Sequence, residues 1–250
     1  MFPFLEATGA KMSQMRKDIP SILTEVADLV EELMPQVLEL RFEVEWKLDG
    51  SPVTPADKLL EERIGRLLRQ RLEGVQIIGE ETFKQGVPIT SSWLAVLDPI
   101  DGTENFCSGL KLWGVALSIW YNGRHEGSML LMPEMKEKLL SGDVFKIPNS
   151  RIAGFSSSFH PDIASGLAEN KEGRIMGCAV YNLINVIRGS FSRFINPKGA
   201  YSWDLLAGVV LAYEAGCYVL VEGTEYAGQF LEPNQRYRVD IQHRYDHHSR

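Results

Sequence analysis

The feature that most constrains this chain is one string. An apolar run, Trp93-Leu94-Ala95-Val96-Leu97, is followed without a break by Asp98-Pro99-Ile100-Asp101-Gly102-Thr103-Glu104-Asn105-Phe106. The apolar run reads as a strand. Asp98 then stands where that strand is expected to stop, Pro99 fixes the backbone, and Gly102 permits a tight turn or a close approach to a ligand. A helical turn is expected from Thr103, with the N–H groups of Gly102 and Thr103 directed at an anion. One short stretch then offers two carboxylates, the carbonyl of Ile100, a hydroxyl and an anion cradle. Hard oxygen donors of this kind suit Mg²⁺. An Asp-Gly pair by itself is an ordinary turn. The information lies in the whole string placed after an apolar strand.

Three further acids sit at element ends. Glu80, in Gly79-Glu80-Glu81-Thr82, closes the strand-like run 75–79. Asp57, in Thr54-Pro55-Ala56-Asp57, opens a helix. Asp204 follows Trp203 at the start of the run WDLLAGVVLAYEAG. Each has an everyday explanation alone: a turn acid, the third-residue acid of a capping box, and a first-turn acid favoured by the helix dipole.

Around these acids the pattern alternates between helix and sheet. Helical spacing of Ile22, Leu23, Val26, Leu29, Val30, Leu33, Val37 and Leu38 predicts a helix over 19–41, kinked at Pro35. A second helix is expected from Thr54 to Leu72, with Pro55 at its first position. Strands are expected at 75–79, 93–98, 113–121, 127–132 and 138–141, the later ones forming an antiparallel meander through turns such as Asn122-Gly123. Beyond Asn149, helices are expected at 160–170, 178–188 and 203–215, and short strands at 152–156, 191–195 and 217–221. These suggest two packed halves, 1–146 and 147–250, the second carrying Asp204.

Composition narrows the function. The net charge is −7, which gives no global reason to bind nucleic acid or an anionic membrane. No apolar run approaches the ~20 residues of a membrane span. The N-terminal stretch lacks the pattern of a signal peptide. The cysteines Cys107, Cys178 and Cys217 lack zinc spacing and read as reduced thiols of a cytoplasmic protein. The tail histidines His243, His247 and His248 read as part of a frayed terminus.

Taken in order, K-x-DGSPVTPAD, IIGEE, WLAVLDPIDGTENF and SWDLLAGVVLAYEAG resemble the inositol monophosphatase family of Mg²⁺-dependent, lithium-sensitive phosphatases, from about Lys47 to Cys217. The resemblance implies a mixed α/β and α+β fold, the layered αβαβα sandwich of the inositol monophosphatase and fructose-1,6-bisphosphatase type, commonly dimeric. It implies two or three Mg²⁺ ions, with Glu80, Asp98 and the Ile100 carbonyl as ligands of one and Asp98, Asp101 and Asp204 as ligands of another. Thr103 and Asp57 would orient the attacking water, with Glu80 also in the catalytic set. Gly102, Thr103, Glu104, Cys178 and Lys198 would meet the substrate, and Lys47 would stand near the metals.

The physics agrees with that implication. Two unit charges 4 Å apart repel by about 4 kcal/mol at an effective dielectric near 20, so clustered acids persist only if protons or cations neutralise them. The implied activity is hydrolysis of a phosphate monoester on a small metabolite. Some residues depart from the family pattern. The segment after Leu140 is short, so one wall of the pocket is expected to be open. Cys178 stands where a serine is usual, and Ser192-Arg193 where Asp-Ala is. Pro197 stands seven residues before Asp204, where inositol-specific members carry an acid. With Lys198 and Arg193 nearby, a sugar bisphosphate or a nucleotide 3′,5′-bisphosphate is the alternative substrate. A non-catalytic scaffold and a two-metal nuclease or nucleotidyltransferase are the competing classes. The complete set of acids opposes the first, and the acidic charge opposes the second.

Overall fold

The computed structural model describes residues 9–157, 160–170, 172–233 and 235–243. His247 and His248 lie outside the described residues, as does the chain before Gly9. A long helix α1 (Gly9–Glu39) leads into a two-residue-strand hairpin, β1 (Glu45–Trp46) and β2 (Pro52–Val53), and then helix α2 (Pro55–Arg71). Pro35 is exposed and lies inside α1, which carries on to Glu39. The predicted stripe is buried apart from Leu29, which is half-buried, and Leu38 at its end, which is exposed.

A five-stranded sheet follows, in the order β3 (Gln76–Gly79), β4 (Trp93–Asp101), β5 (Gly114–Tyr121), β6 (Arg124–Met132) and β7 (Glu137–Leu140). β3 and β4 are parallel and the remaining pairs form the expected antiparallel meander. A five-residue helix, α3 (Thr103–Cys107), sits between β4 and β5. Residues 141–152 form neither helix nor strand. The chain then runs through β8 (Ala153–Phe155), α4 (Pro161–Glu169), β9 (Gly173–Ile175), α5 (Ala179–Ile187), β10 (Arg193–Ala200), α6 (Ser202–Glu214), β11 (Tyr218–Val221), β12 (Thr224–Glu225) and β13 (Tyr237–Gln242). These strands form a second sheet in the order β12-β11-β13-β10-β8-β9.

The layering follows from strand periodicity. Successive side chains on a strand point to opposite faces. Trp93, Ala95 and Leu97 of β4 join α1 and α2 in one core, whereas Leu94 and Val96 join α5 and α6 in another. β5 and β6 divide in the same way, so the five-stranded sheet is apolar on both faces. The other side of the α5–α6 layer meets the second sheet through Phe194, Val219, Val239 and Ile241. Phe155 and Ile163 form a small cluster that places α4 outside it. The resulting order is helix, sheet, helix, sheet, helix: the αβαβα sandwich expected from the sequence. Each fully buried Leu, Ile or Phe contributes about 1.5–3 kcal/mol. Most of that burial lies in the two cores that grip the five-stranded sheet.

Two expectations change. β4 does not stop at Asp98. It runs to Asp101 with a break in register between the two acids, where Pro99 has no N–H to give the ladder. β13, with Tyr237, Val239 and Ile241 alternately buried, was absent from the predicted strands yet pairs with both β10 and β11.

Candidate active site

Register brings the first two acids together. β3 and β4 run parallel with Gly79 beside Leu97, and the Glu80 amide donates to the Leu97 carbonyl at 3.2 Å. Glu80, just past the end of β3, and Asp98, within β4, therefore stand side by side. Asp204 arrives from the opposite layer, in the first turn of α6, where the Tyr201 amide donates to its Oδ2 at 2.7 Å. One carboxylate oxygen from each of Glu80, Asp98 and Asp204 lies within 4.8 Å of the others. The donor set fits a hard divalent cation: it is all oxygen, and Asp98 Oδ2 is buried with no hydrogen-bond partner among the described residues.

Electrostatics mark the same point. Burial pushes the Asp98 carboxyl well above the usual range, and Glu80, Asp204, Asp101 and Asp57 push it further. Asp204 is raised for the same reasons, burial first and then Glu80 and Asp101, with Arg236 opposing. Lys47 compensates in part. Its Nζ donates to Glu80 Oε1 at 2.9 Å and to Glu81 Oε1 at 2.7 Å. Burial disfavours the lysine charge, but the two carboxylates outweigh it and hold its pKa above the ordinary value.

Asp101 is placed differently from the other three. Its Oδ2 accepts from Cys178 Sγ at 2.8 Å and from the Val180 amide at 2.6 Å, at the start of α5. Asp101 lines the same cavity, but its carboxylate is not part of the tight triangle. Cys178, predicted to meet substrate, thus spends its thiol on an acid of the site. Asp57 sits on the face of α2 that carries Ala56, Leu60, Ile64 and Leu68 into the core. The Thr54 amide and hydroxyl donate to Asp57 Oδ2 at 2.8 and 2.7 Å, leaving Oδ1 buried and unpartnered among the described residues. Burial raises its pKa to about 7 against the opposing Thr54 bonds. The Thr103 hydroxyl donates to the Ile100 carbonyl at 2.9 Å, so Asp57 is paired with Thr54 rather than with Thr103. Gly102 takes φ +83° where α3 begins, and a Cβ there would stand 3.1 Å from the Gly177 and Leu112 carbonyls.

Neither predicted rim cation reaches the acids. Arg193 is bound to Asp240 through Nε at 2.8 Å and also through Nη2. Lys198 is exposed and does not line the cavity. Sequence reading missed two residues. Glu61, one helical turn after Asp57, accepts from the Glu81 amide at 2.9 Å and so props the segment that carries Glu80. A Cβ on Gly79 would come within 2.3 Å of the Glu61 carboxyl carbon, which is why a glycine ends β3. The second is Arg236, which enters the cavity just before β13. Glu61 carried a weak signal in its i, i+4 spacing from Asp57; Arg236 carried none.

One other cluster has the residue types of nucleophilic catalysis. His125 Nδ1 lies 2.9 Å from Glu214 Oε1, and its Nε2 lies 2.7 Å from Ser128 Oγ. Ser128 is fully buried on β6, so no substrate reaches it and the trio is a core network.

A sequence model describing the inositol monophosphatase family matches residues 13–146, more than half of the 250-residue chain. The chain belongs to the inositol monophosphatase family. A bifunctional phosphatase, IMPL2, of Arabidopsis thaliana is 28% identical over 241 residues, covering 84% of this chain and 69% of that protein. An inositol monophosphatase of Dictyostelium discoideum is 26% identical over 230 residues, covering 79% and 84%. Among solved structures, an inositol monophosphatase/NADP phosphatase complexed with Mg²⁺ and phosphate superposes with a TM-score of 0.75 at 18% identity, over 91% of each chain. That likeness establishes the fold. No helix among the described residues is long and apolar enough to cross a membrane.

Proposed function

We propose that this member of the inositol monophosphatase family is a Mg²⁺-dependent phosphatase that hydrolyses a phosphate monoester on a small metabolite. The observation that carries the reading is the meeting of Glu80, Asp98 and Asp204 within 4.8 Å, with a buried Asp98 oxygen left unpartnered. These three hold Mg²⁺. The Ile100 carbonyl, which has a second lone pair beyond its bond from Thr103, and Asp101 complete the donor set. Bound Mg²⁺ supplies Lewis-acid stabilisation of the charge that builds on the phosphoryl oxygens.

The chain's own groups do the positioning. Asp57 Oδ1, fixed through the Thr54 bonds to Oδ2, accepts a proton of the attacking water. The Thr103 hydroxyl spends its hydrogen on Ile100 and keeps acceptor capacity for the same water. The backbone of Gly102, Thr103 and Glu104 receives the phosphate. Lys47 limits the negative charge around Glu80, so the phosphate dianion is not repelled from an open carboxylate rim. Lithium sensitivity and a homodimer are assigned on family membership, and a cytoplasmic location on the free thiols of Cys107, Cys178 and Cys217.

The test is phosphate release from a panel of inositol, glycerol and sugar phosphates with and without Mg²⁺. Release is expected only with Mg²⁺, and is expected to fall at least 100-fold in Asp98→Asn. Full activity of Asp98→Asn, or turnover in excess chelator, defeats the assignment.

A further inference from the structure

The cavity above the carboxylates is about 350 Å³, within the size range of small-molecule sites. Its charges are not evenly matched. Of the two cations lining it, Lys47 is occupied by Glu80 and Glu81. Arg236 has no carboxylate at ion-pair distance among the described residues. Its guanidinium lies over the Tyr201 ring, 4.4 Å from the centroid, and Nη1 reaches the Gly199 carbonyl at 3.3 Å. Tyr201 is in turn stacked on Trp203, with centroids 4.6 Å apart and planes 24° from parallel. Gly199 is itself fixed, because its amide donates to the buried Asn196 side chain at 3.0 Å. A guanidinium has five donors in a fixed fork. One is spent on Gly199, and an aromatic platform holds the group in place while the remaining donors stay open.

The rest of the cavity wall is largely polar. Ser51, Ser156, Ser157, Asn182 and Asn196 are among its lining residues. A polar lining of this kind disfavours an apolar occupant. It suits a hydroxylated carbon skeleton.

We propose that Arg236 forms a second oxyanion subsite, so that the preferred substrates carry an additional carboxylate or phosphate across a hydroxylated skeleton from the ester phosphate. This rests on the phosphatase reading above. Arginine suits the role because its planar fork pairs two oxygens at once, which lysine does not. The stack on Tyr201 reduces the freedom that an exposed arginine loses on binding, and so favours affinity.

The experiment compares matched probes in Mg²⁺: fructose 1-phosphate with fructose 1,6-bisphosphate, and glycerol 1-phosphate with 3-phosphoglycerate. The wild type is expected to favour the probe with two anionic groups at least 10-fold in kcat/KM in one or both pairs. The pair that responds tells phosphate from carboxylate. Arg236→Gln, which keeps a planar donor for Gly199, is expected to erase that preference while changing the probes with one anionic group less than 3-fold. Arg236→Lys is expected to restore only part of it. Equal loss on both members of each pair, or no preference in the wild type, overturns the subsite. Calorimetric binding of the same probes to the wild type and Arg236→Gln separates this outcome from failure of the phosphatase reading. If no probe is hydrolysed, a preference in binding that depends on Arg236 still supports the subsite, and equal affinities overturn it.

Discussion

Replacing Asp98 with Asn is expected to stabilise the metal-free protein while destroying its activity. The oxygens of Glu80, Asp98 and Asp204 lie within 4.8 Å of one another. At that distance each ionised pair repels by about 3.5 kcal/mol for an effective dielectric near 20. Asp98 belongs to two of the three pairs, so its charge adds about 7 kcal/mol, comparable with the whole stability of a typical domain. Without a cation the cheaper course is to keep a proton. Holding an aspartate with an ordinary pKa of 3.8 protonated at pH 7.5 costs about 5 kcal/mol, at 1.4 kcal/mol per pH unit. Asn needs no such proton, and its carbonyl still accepts the Ile100 amide that Asp98 Oδ1 accepts at 3.0 Å. The gain is therefore bounded near 5 kcal/mol. At roughly 2–4 °C per kcal/mol for a chain of this size, a rise in Tm of up to about 10–20 °C is expected. The assay is thermal unfolding in excess chelator at pH 7.5, repeated with Mg²⁺, which should raise the wild type and leave Asp98→Asn unmoved. The pH dependence has a definite sign. A carboxyl raised in the folded state leaves that state with more protons than the unfolded chain, so metal-free stability falls as pH climbs above 3.8. That slope should be shallower in Asp98→Asn. A variant that melts at or below the wild type in chelator would refute the reasoning, because the acids would then not be crowded.

Substitutions at three other positions probe the supports of the site. Glu134→Ala strips the acidic partner from the buried Arg41 and removes the acceptor that Trp113 Nε1 reaches at 2.7 Å; a loss of about 3–5 kcal/mol is expected, and a Tm within 2 °C of the wild type by calorimetry would contradict it. Gly79→Ala drives a Cβ into Glu61, so a loss of about 1–3 kcal/mol is expected, with a several-fold rise in the Mg²⁺ concentration for half-maximal activity; unchanged Mg²⁺ dependence would show that Glu61 does not place Glu80. Cys178→Ser keeps a donor for Asp101 and should retain activity within about 3-fold, whereas Cys178→Ala removes the side-chain donor to Asp101 Oδ2 and should lose at least 10-fold; equal activity of the two variants would remove the thiol from the account.

The acids were legible because each stands next to a run whose period is written locally. The apolar run 93–97 announces β4, the run 75–79 announces β3, and a one-residue continuation of their register places Glu80 beside Asp98. The meander was legible for the same reason, with Asn122 and Gly123 both at positive φ in the tight turn that joins β5 to β6. What escaped depends on pairings between distant parts of the chain. Asp101 and Cys178 are 77 positions apart, and no local pattern announces their bond.

The rim cations show how closeness in sequence misleads. Phe194 and Asn196 line the cavity, and unbroken alternation along β10 would bring Lys198 to the same face. The register breaks between Asn196 and Ala200, where the Asn196 side chain takes the Gly199 amide, and Lys198 is turned out to solvent. Arg193 has the opposite parity and is held by Asp240 of β13. The same pairing of β10 with β13, Ala200 beside Tyr237, carries the residue before Tyr237 to the mouth of the cavity. Thus the irregularity that removes one cation from the rim belongs to the strand pair that delivers another. The charge expected of Lys198 is supplied by Arg236, 38 residues further along, and only the fold of β13 makes the exchange possible.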